Sequence, residues 1–393
     1  MSSHESFRLP AAADRGLVAF VDEVFGGLPR VDQRRWAGVY LDGLLRVRGK
    51  KTIQRLAEAV RSPSVTPHAL RQFINSSPWD FRPARRALAR AAVAAARPLA
   101  WTTALSVIPK RGDHSVGVHR RFDPETGRTV NCQLGIGLYL ASAESCLPVD
   151  WRLALDESWL ADEHRKRRVR IPDGIGPRPE WAHVLDFAAL AATREFPAGM
   201  PFVLDLHTLP DVGPVVRGLV DLGQDFLVQV APTQPVASAA AGHAPRAPML
   251  LPRRARERTT AREFLSHGYA RQPHIGAADG GHVVYSGLVH VPGVRGTLRL
   301  LTDWCPRRGA PTCYWLTSMV HRRVGELRAL VPHASAARRV ARVLEHDYGV
   351  LDFEGRSFPG WHHHMTMVSA AYAFRSLATS TEMVDSTALR LAP

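Results

Sequence analysis

The stretch WTTALSVIPKRGDHSVG, residues 101–117, decides how the chain is interpreted. Its first part, WTTALSVI, is rich in apolar and β-branched side chains, a composition that favours a buried strand. The PKRGD segment carries the Pro and Gly that are typical of a turn, and HSVG begins a second predicted strand. We therefore expect a strand, a basic turn and another strand. The first strand contains no acidic residue, which becomes important below.

Further elements follow this stretch. The second predicted strand, HSVGVHRRF, is joined by the turn-like DPETGR to NCQLGIGLYLAS, and these short connections predict an antiparallel meander of three strands. A helix is then predicted over RPEWAHVLDFAALAAT, before the apolar strand MPFVLDL. This last strand reaches Asp205, and many α/β proteins present a carboxylate at the carboxyl end of a strand in this way.

Changes in the hydrophobic pattern predict four segments. Apolar residues recur at helical spacing from Gly16 onwards and predict a helical N-terminal domain over residues 1–100. Residues 101–230 form the first part of an α/β domain, and residues 321–393 form helices that complete it. Between them, residues 231–320 form a β-rich insertion that begins with a linker rich in Ala, Pro and Arg.

The charge balance indicates the class of partner. The chain has 51 Lys and Arg against 36 Asp and Glu, which gives a formal net charge of +15. Polyanions bind such proteins because binding releases condensed counterions. Nucleic acid is therefore the first candidate partner.

The four Cys residues form no CxxC pair and have no His partner at zinc-finger spacing, so structural zinc and a disulfide framework are poorly supported. The first residues show no signal-peptide pattern, and no apolar run reaches the roughly 18 residues of a membrane span. The sequence predicts a protein of the cytoplasm, associated with the nucleoid and not with a membrane.

Several motifs together resemble the DDE transposases of bacterial insertion sequences, of the insertion-sequence-701 type. They occur in the order of that family over nearly the whole chain, and their specificity comes from the series. The motifs are YLDGLL with KKTIQRLAEAV, LRQFINSSPWD, PKRGDHSVGVHRRF with NCQLGIGLYLAS, LPVDWRLALDESW, and DFEGRSFPGWHHHMTMVSAAYAF.

The resemblance implies an RNase H-like catalytic-type domain preceded by a helical domain. In such enzymes two Asp and one Glu hold two divalent metal ions. The paired ions activate the attacking oxygen and stabilise the leaving oxygen during cleavage of a phosphodiester. Each carboxylate is therefore needed for cutting.

Two of the three carboxylates are absent from the matching positions. Counting back from the PKRG turn, the acidic pair of the family falls on Ala104 and Leu105. Asp205 matches the second acidic residue, although the residues after it depart from the family's pattern. The Glu of the last helix falls on Arg338. We expect Arg338 to occupy the space of the missing metal and to pair with Asp205.

The sequence therefore favours a DNA-binding protein that is derived from a transposase, does not cleave DNA and is a candidate regulator. It predicts no metal and no cofactor. Two alternatives stay open. One is a functional or recently decayed transposase, which would use Mg²⁺ or Mn²⁺ and would need Asp113 or Glu345 as a substitute ligand. The other is a different enzyme that reuses the pocket around Asp205 and His207.

Basic clusters supply the candidate DNA contacts. The sequence leaves open whether the chain forms a homodimer.

The WHHH segment, with His362–His364, is interpreted as structural or phosphate-facing because consecutive helical residues cannot all face one metal ion. The predicted DNA contacts are Arg46, Arg48, Lys50, Lys51, Lys110, Arg111, Arg165, Lys166, Arg167, Arg253, Arg254, Arg338 and Arg342.

Overall fold

The structure is a computed structural model. It describes residues 11–390 except 61, 63, 124–126, 194, 240–258, 267–282 and 306–309. The predicted DNA contacts Arg253 and Arg254 lie outside the described residues.

Within the described residues, five helices precede the first strand. They are α1 (Ala11–Phe25), α2 (Val31–Arg46), α3 (Ile53–Val60), α4 (Pro67–Asn75) and α5 (Phe81–Ala96). Side chains fix two of their starts, because Thr66 accepts a hydrogen bond from the backbone N–H of Ala69 and Asp80 accepts one from that of Arg82. These caps satisfy N–H groups that have no partner inside the helix.

The described strands pair into one mixed sheet. Its order is β2-β3-β1-β5-β6-β11-β10-β9-β7-β8, and β4 also pairs with β3. β1, β5 and β6 run parallel, whereas the other pairs are antiparallel. The strands are β1 (Ala100–Pro109), β2 (His119–Asp123), β3 (Arg128–Ala141), β4 (Cys146–Leu153), β5 (Phe202–Asp205), β6 (Phe226–Val230), β7 (Pro235–Ser238), β8 (Thr259–Thr260), β9 (Val283–His290), β10 (Leu298–Cys305) and β11 (Ala310–Thr317).

The predicted meander is wrong in its order. β3 lies between β1 and β2, so the first predicted strand pairs with the third. The second strand also begins late, because Gly117 has a φ of +74° and Val116 instead bonds to Arg356 and Gln133. A left-handed residue interrupts a strand ladder. β4 was not predicted. It pairs with the edge of β3 that lies opposite to β1.

Two long C-terminal helices cover the sheet. α11 lies over β1 and β5, and α12 packs against β4 and against α2, α4 and α5. A short 3-10 turn, Val350–Asp352, joins them. The helices after β4 are α6 (Glu157–Leu160), α7 (Glu163–Val169), α8 (Ala182–Ala191), α9 (Gly213–Asp221), α10 (Ala261–Ser266), α11 (Val324–Asp347) and α12 (Phe358–Arg390).

The N-terminal helices share one hydrophobic core with the sheet and α12. Leu41 of α2, Leu88 of α5, Leu138 of β3 and Val368 of α12 all belong to it. The fold is thus a mixed α/β arrangement in which both ends of the chain pack together. None of the helices in the described part of the chain is long and apolar enough to span a bilayer.

Candidate functional site

The register of β1 and β5 places two predicted site residues side by side. Trp101 pairs with Phe202 in the parallel ladder. Three residues further along each strand are Ala104 and Asp205, which are therefore level with each other. Neighbouring strands are roughly 4.8 Å apart, so an acidic side chain at position 104 would lie beside Asp205.

Both residues lie on the face that α11 covers. Ala100 and Val203 pack in one apolar cluster with Ala334 of α11, and side chains alternate along a strand. Ala104 therefore shares the face of Ala100. Leu105 lies on the opposite face, and it is 47% exposed. Of the two positions matched to the first carboxylate, Ala104 is the one beside Asp205.

Asp205 is held by two cationic or polar neighbours. The Arg338 guanidinium of α11 donates to its Oδ2 at 2.7 Å, so the contact expected from the sequence is present. The His207 Nδ1 lies against its Oδ1. The Asp205 side chain is 12% exposed and that of Arg338 is 53% exposed. Because solvent reaches the guanidinium, this ion pair contributes only about 0–1 kcal/mol to stability.

The donor set at this position does not fit paired divalent ions. Mg²⁺ and Mn²⁺ favour carboxylate oxygens, and a two-metal site needs several of them. Here β1 supplies the methyl group of Ala104, and the carboxylate of Asp205 is occupied by Arg338. Among the described residues, no cluster of three or more His, Cys, Asp or Glu is placed to hold a metal ion.

The two substitute ligands considered from the sequence lie away from this position. The carboxylate of Asp113 is 77% exposed and lies 3.3 Å from His114, in the turn beyond the end of β1. Glu345 follows Arg338 by seven residues on α11, which is ~10 Å along the helix. Neither residue therefore lies next to Asp205 in the described part of the structure.

Basic segments from distant parts of the sequence meet near the 3-10 turn. The backbone N–H of Lys51 donates to Asp352 at 2.7 Å. The ammonium of Lys110 donates to the carbonyl of Phe353, also at 2.7 Å. The segment after α2 and the turn after β1 therefore both pack against residues 352–356.

α7 joins the same surface. Arg165 donates to the carbonyl of Asp113 at 3.0 Å and stacks on Trp159, with its guanidinium 3.5 Å from the ring centroid. Five cations of these segments form a set that we call the basic strip. The set consists of Arg48, Lys50, Arg111, Arg165 and Arg167. Arg165 is half-buried, and the other four are exposed.

α11 extends the basic strip towards Asp205. Arg338 and Arg342 are both exposed, and their spacing of four residues places them on one side of the helix. The helix then ends at Asp347 and leads into the turn that contacts Lys51. Positive side chains thus lie at both ends of this stretch, with the exposed carboxylate of Asp347 between them.

Several predicted DNA contacts are used inside the protein. Lys51 is 4% exposed, and its ammonium donates to the carbonyls of Leu44 and Val47 at the end of α2. Burial lowers its pKa to about 8. Lys51 closes the C-terminal end of a helix and does not lie on the surface as predicted.

Three further cations also have acidic or carbonyl partners. Burial lowers the pKa of Lys110 to about 8, and its ammonium is committed to Phe353. Lys166 is 12% exposed at its side chain and pairs with Glu163 at 2.9 Å. Arg46 pairs with Asp42 at 2.6 Å on the same helix. These groups are less suited to phosphate contact than the basic strip.

The His triplet at the start of α12 is structural. His362, His363 and His364 are at most 2% exposed. His362 stacks on Phe81, and His363 stacks on Trp79 with ring centroids 3.9 Å apart. The three rings thus tie α12 to the N-terminal helices.

We predict that His364 makes the protein less stable in mild acid. Its Nε2–H donates to the carbonyl of Gly349 and its Nδ1 accepts from the Tyr40 hydroxyl, which requires the neutral ring. Burial lowers its pKa to about 4. In the unfolded chain the pKa is about 6.5, so the unfolded state binds the extra proton as pH falls from 6.5 towards 4.

The free energy of unfolding should therefore fall by about 1.6 kcal/mol between pH 6.5 and pH 5 because of this residue. Denaturant unfolding at a series of pH values checks this. His364→Gln keeps one donor and one acceptor and should remove its share of the pH dependence. His346→Gln, on an 88% exposed side chain, is the control and should leave the slope unchanged. Equal slopes in all three proteins would contradict the prediction.

The sequence reasoning missed a buried ionic network around Arg85. Arg85 is 4% exposed and donates to Asp150 at 2.6 Å, to Thr366 at 2.8 Å and to the carbonyl of His362 at 2.9 Å. The signal was present in the motif LPVDWRL, because a carboxylate within an apolar strand needs a buried cation as its partner.

Residues 23–279, more than half of the chain, match the family model described as DDE superfamily endonuclease. A search of curated proteins found no match to this chain.

Proposed function

We propose that this chain is a DNA-binding protein that does not cleave DNA. The proposal starts from its family, because the chain belongs to the DDE superfamily endonuclease family. The strand order β4-β3-β1-β5-β6 and the helix α11 beside β1 and β5 support an RNase H-like domain. On this proposal, β7–β11 form an insertion between the last of these strands and α11.

The arrangement of Ala104, Asp205 and Arg338 carries the proposal. These three residues occupy the positions on β1, β5 and α11 where an active relative would hold its carboxylates. Fewer carboxylates reduce the repulsion of phosphates, and a guanidinium attracts a phosphate directly. The former cutting position thereby becomes a binding position.

The proposed DNA path follows the cations of α11 and the basic strip. Arg338 lies at one end of this path and Lys50 at the other, with Arg342 between them. A duplex laid along it would meet exposed cations from four separate segments of the chain. On this proposal the protein works at the nucleoid as a regulator, as its resemblance to insertion-sequence transposases suggests.

We predict that neutralising two cations of the basic strip flattens the salt dependence of DNA binding. Each contact with a duplex phosphate contributes about 0.9 to the slope of log K against log salt. Arg48→Gln with Lys50→Gln should therefore reduce the slope by nearly two, as measured by fluorescence anisotropy. The matched control is Arg30→Gln with Arg35→Gln at the other end of α2, ~24 Å away.

The outcomes separate the alternatives. An equal slope in both variants would show that the basic strip does not face DNA. In Mg²⁺ or Mn²⁺ the protein should leave supercoiled plasmid intact. Metal-dependent nicking that is lost in Asp205→Ala would instead support an active transposase, with a substitute ligand in place of Ala104.

A further inference from the structure

A cavity of about 400 Å³ lies beneath the N-terminal helices, away from the Asp205 position. Trp101 forms part of its wall, and Trp101 lies on the face of β1 opposite to Ala104 because the side chains alternate. Leu138 of β3 and Phe196 also line it. Small-molecule sites in proteins usually have volumes of about 300–1,000 Å³, so the cavity is large enough for a compact ligand.

The cavity wall contains both apolar and charged side chains, and three arginines lie at its mouth. Arg82, Arg86 and Arg178 line it, and their side chains are 62%, 46% and 52% exposed. Arg178 pairs with a carboxylate at 2.6 Å, whereas the carboxylates nearest to Arg82 and Arg86 are 3.7 Å away, so these two guanidiniums are the less tightly held. The buried Arg85 is neutralised by Asp150, as described above. The exposed guanidiniums favour an anionic group at the entrance, because arginine forms strong, charge-assisted hydrogen bonds with phosphates.

His183 is an unused polar group in the cavity wall. It is 9% exposed, and neither of its ring nitrogens has a hydrogen-bond partner among the described residues. The carboxylate of Asp186 lies 3.8 Å from its Nδ1. Burial lowers the pKa of His183, which keeps the ring neutral with one donor and one acceptor. An unpartnered buried polar group is unfavourable, and a ligand in the cavity would supply the partner that an ordered water otherwise provides.

We propose that this cavity binds a nucleoside 5′-phosphate, with the hydrogen-bonding edge of its base at His183 and its phosphate at Arg82 and Arg86. A nucleobase has an apolar face and a hydrogen-bonding edge, which match the apolar part of the wall and the unpartnered imidazole. Both a free mononucleotide and the 5′-phosphorylated end of a DNA strand have this chemistry. The proposal is independent of whether the Asp205 position cleaves DNA.

Titration calorimetry of the full chain with dAMP tests the proposal. We expect binding of dAMP, with adenosine and inorganic phosphate each at least about tenfold weaker, because each supplies only half of the contacts. His183→Phe keeps the ring size, removes the free donor and acceptor, and should also weaken dAMP binding. Binding that is equally strong for phosphate alone would overturn the assignment of the base.

Arg86 and Arg90 provide a matched pair of variants on α5. Both pair with Glu195, at 3.7 Å and 3.8 Å, but only Arg86 lines the cavity. Arg86→Glu should weaken dAMP at least about tenfold, whereas Arg90→Glu should not, because a carboxylate at the mouth repels the phosphate. Equal affinities in the two variants, or no dAMP binding in the parent, would refute the proposal.

Competition distinguishes the two sources of the ligand. A short single strand with a 5′-phosphate should displace dAMP if the strand end is the natural ligand, whereas the same strand with a 5′-hydroxyl should not. If neither strand displaces dAMP, the cavity is specific for the free nucleotide. Either result supports the proposed ligand chemistry.

Discussion

The double variant Ala104→Asp with Arg338→Glu should bind Mn²⁺ under conditions in which the parent shows no binding. The substitutions place two carboxylates on the face of β1 and α11 that already carries Asp205. They also remove the guanidinium that occupies this carboxylate. Three acidic side chains around one position supply the hard oxygen ligands that divalent ions require. Titration calorimetry with Mn²⁺ would measure the gain.

The neighbouring residue supplies the control for this experiment. Leu105→Asp with Arg338→Glu has the same charge change, but residue 105 lies on the opposite face of β1 and is exposed. It should bind Mn²⁺ at least about a hundredfold more weakly, because its carboxylate does not face Asp205. Equal binding by the two double variants would contradict the assignment of Ala104 as the first site position.

The single variant Arg338→Glu separates DNA binding from metal binding. It reverses one charge on the proposed DNA path, so binding to duplex DNA should weaken and the salt slope should fall by about one. It should not restore cutting, since β1 still offers the methyl group of Ala104. A gain of nicking in this variant would place the first ligand elsewhere in the chain.

The sequence alone predicted the candidate position on β1 to within one residue. It could not choose between Ala104 and Leu105, because that choice depends on which face of the strand meets α11. The face is set by the pairing of Trp101 with Phe202 and by the packing of Ala100, which are contacts between distant segments. Spacing along a single strand does not contain this information.

Long-range packing also explains the predictions that were wrong. Lys51 belongs to a basic run, so its charge indicated a surface position, yet its ammonium closes the end of α2. The predicted order of β1, β2 and β3 assumed that short connections join neighbouring strands, but β3 lies between β1 and β2, and the left-handed Gly117 displaces the start of β2. Local composition predicts elements well, but it does not reveal which groups the tertiary fold uses internally.

Replacing Arg85 should have the largest effect on stability. Arg85 connects α5 to Asp150 of β4 and to His362 and Thr366 of α12, so it joins the N-terminal helices, the sheet and the last helix. Burial lowers its pKa to about 10 even though Asp150 opposes that shift, so the guanidinium stays charged at neutral pH. Removing it leaves the buried carboxylate of Asp150 with only one of its two arginine partners, Arg152.

We expect Arg85→Met to lower the free energy of unfolding by ~3–5 kcal/mol, as measured by urea denaturation. Arg90→Met on the same helix, with a 57% exposed side chain, is the control and should cost under about 0.5 kcal/mol. Arg85→Met combined with Asp150→Asn should cost clearly less than the sum of the single variants, because neither charge is then left buried alone. Additive costs would mean that the two charges act independently, and the ionic network would then not be what joins the two ends of the chain.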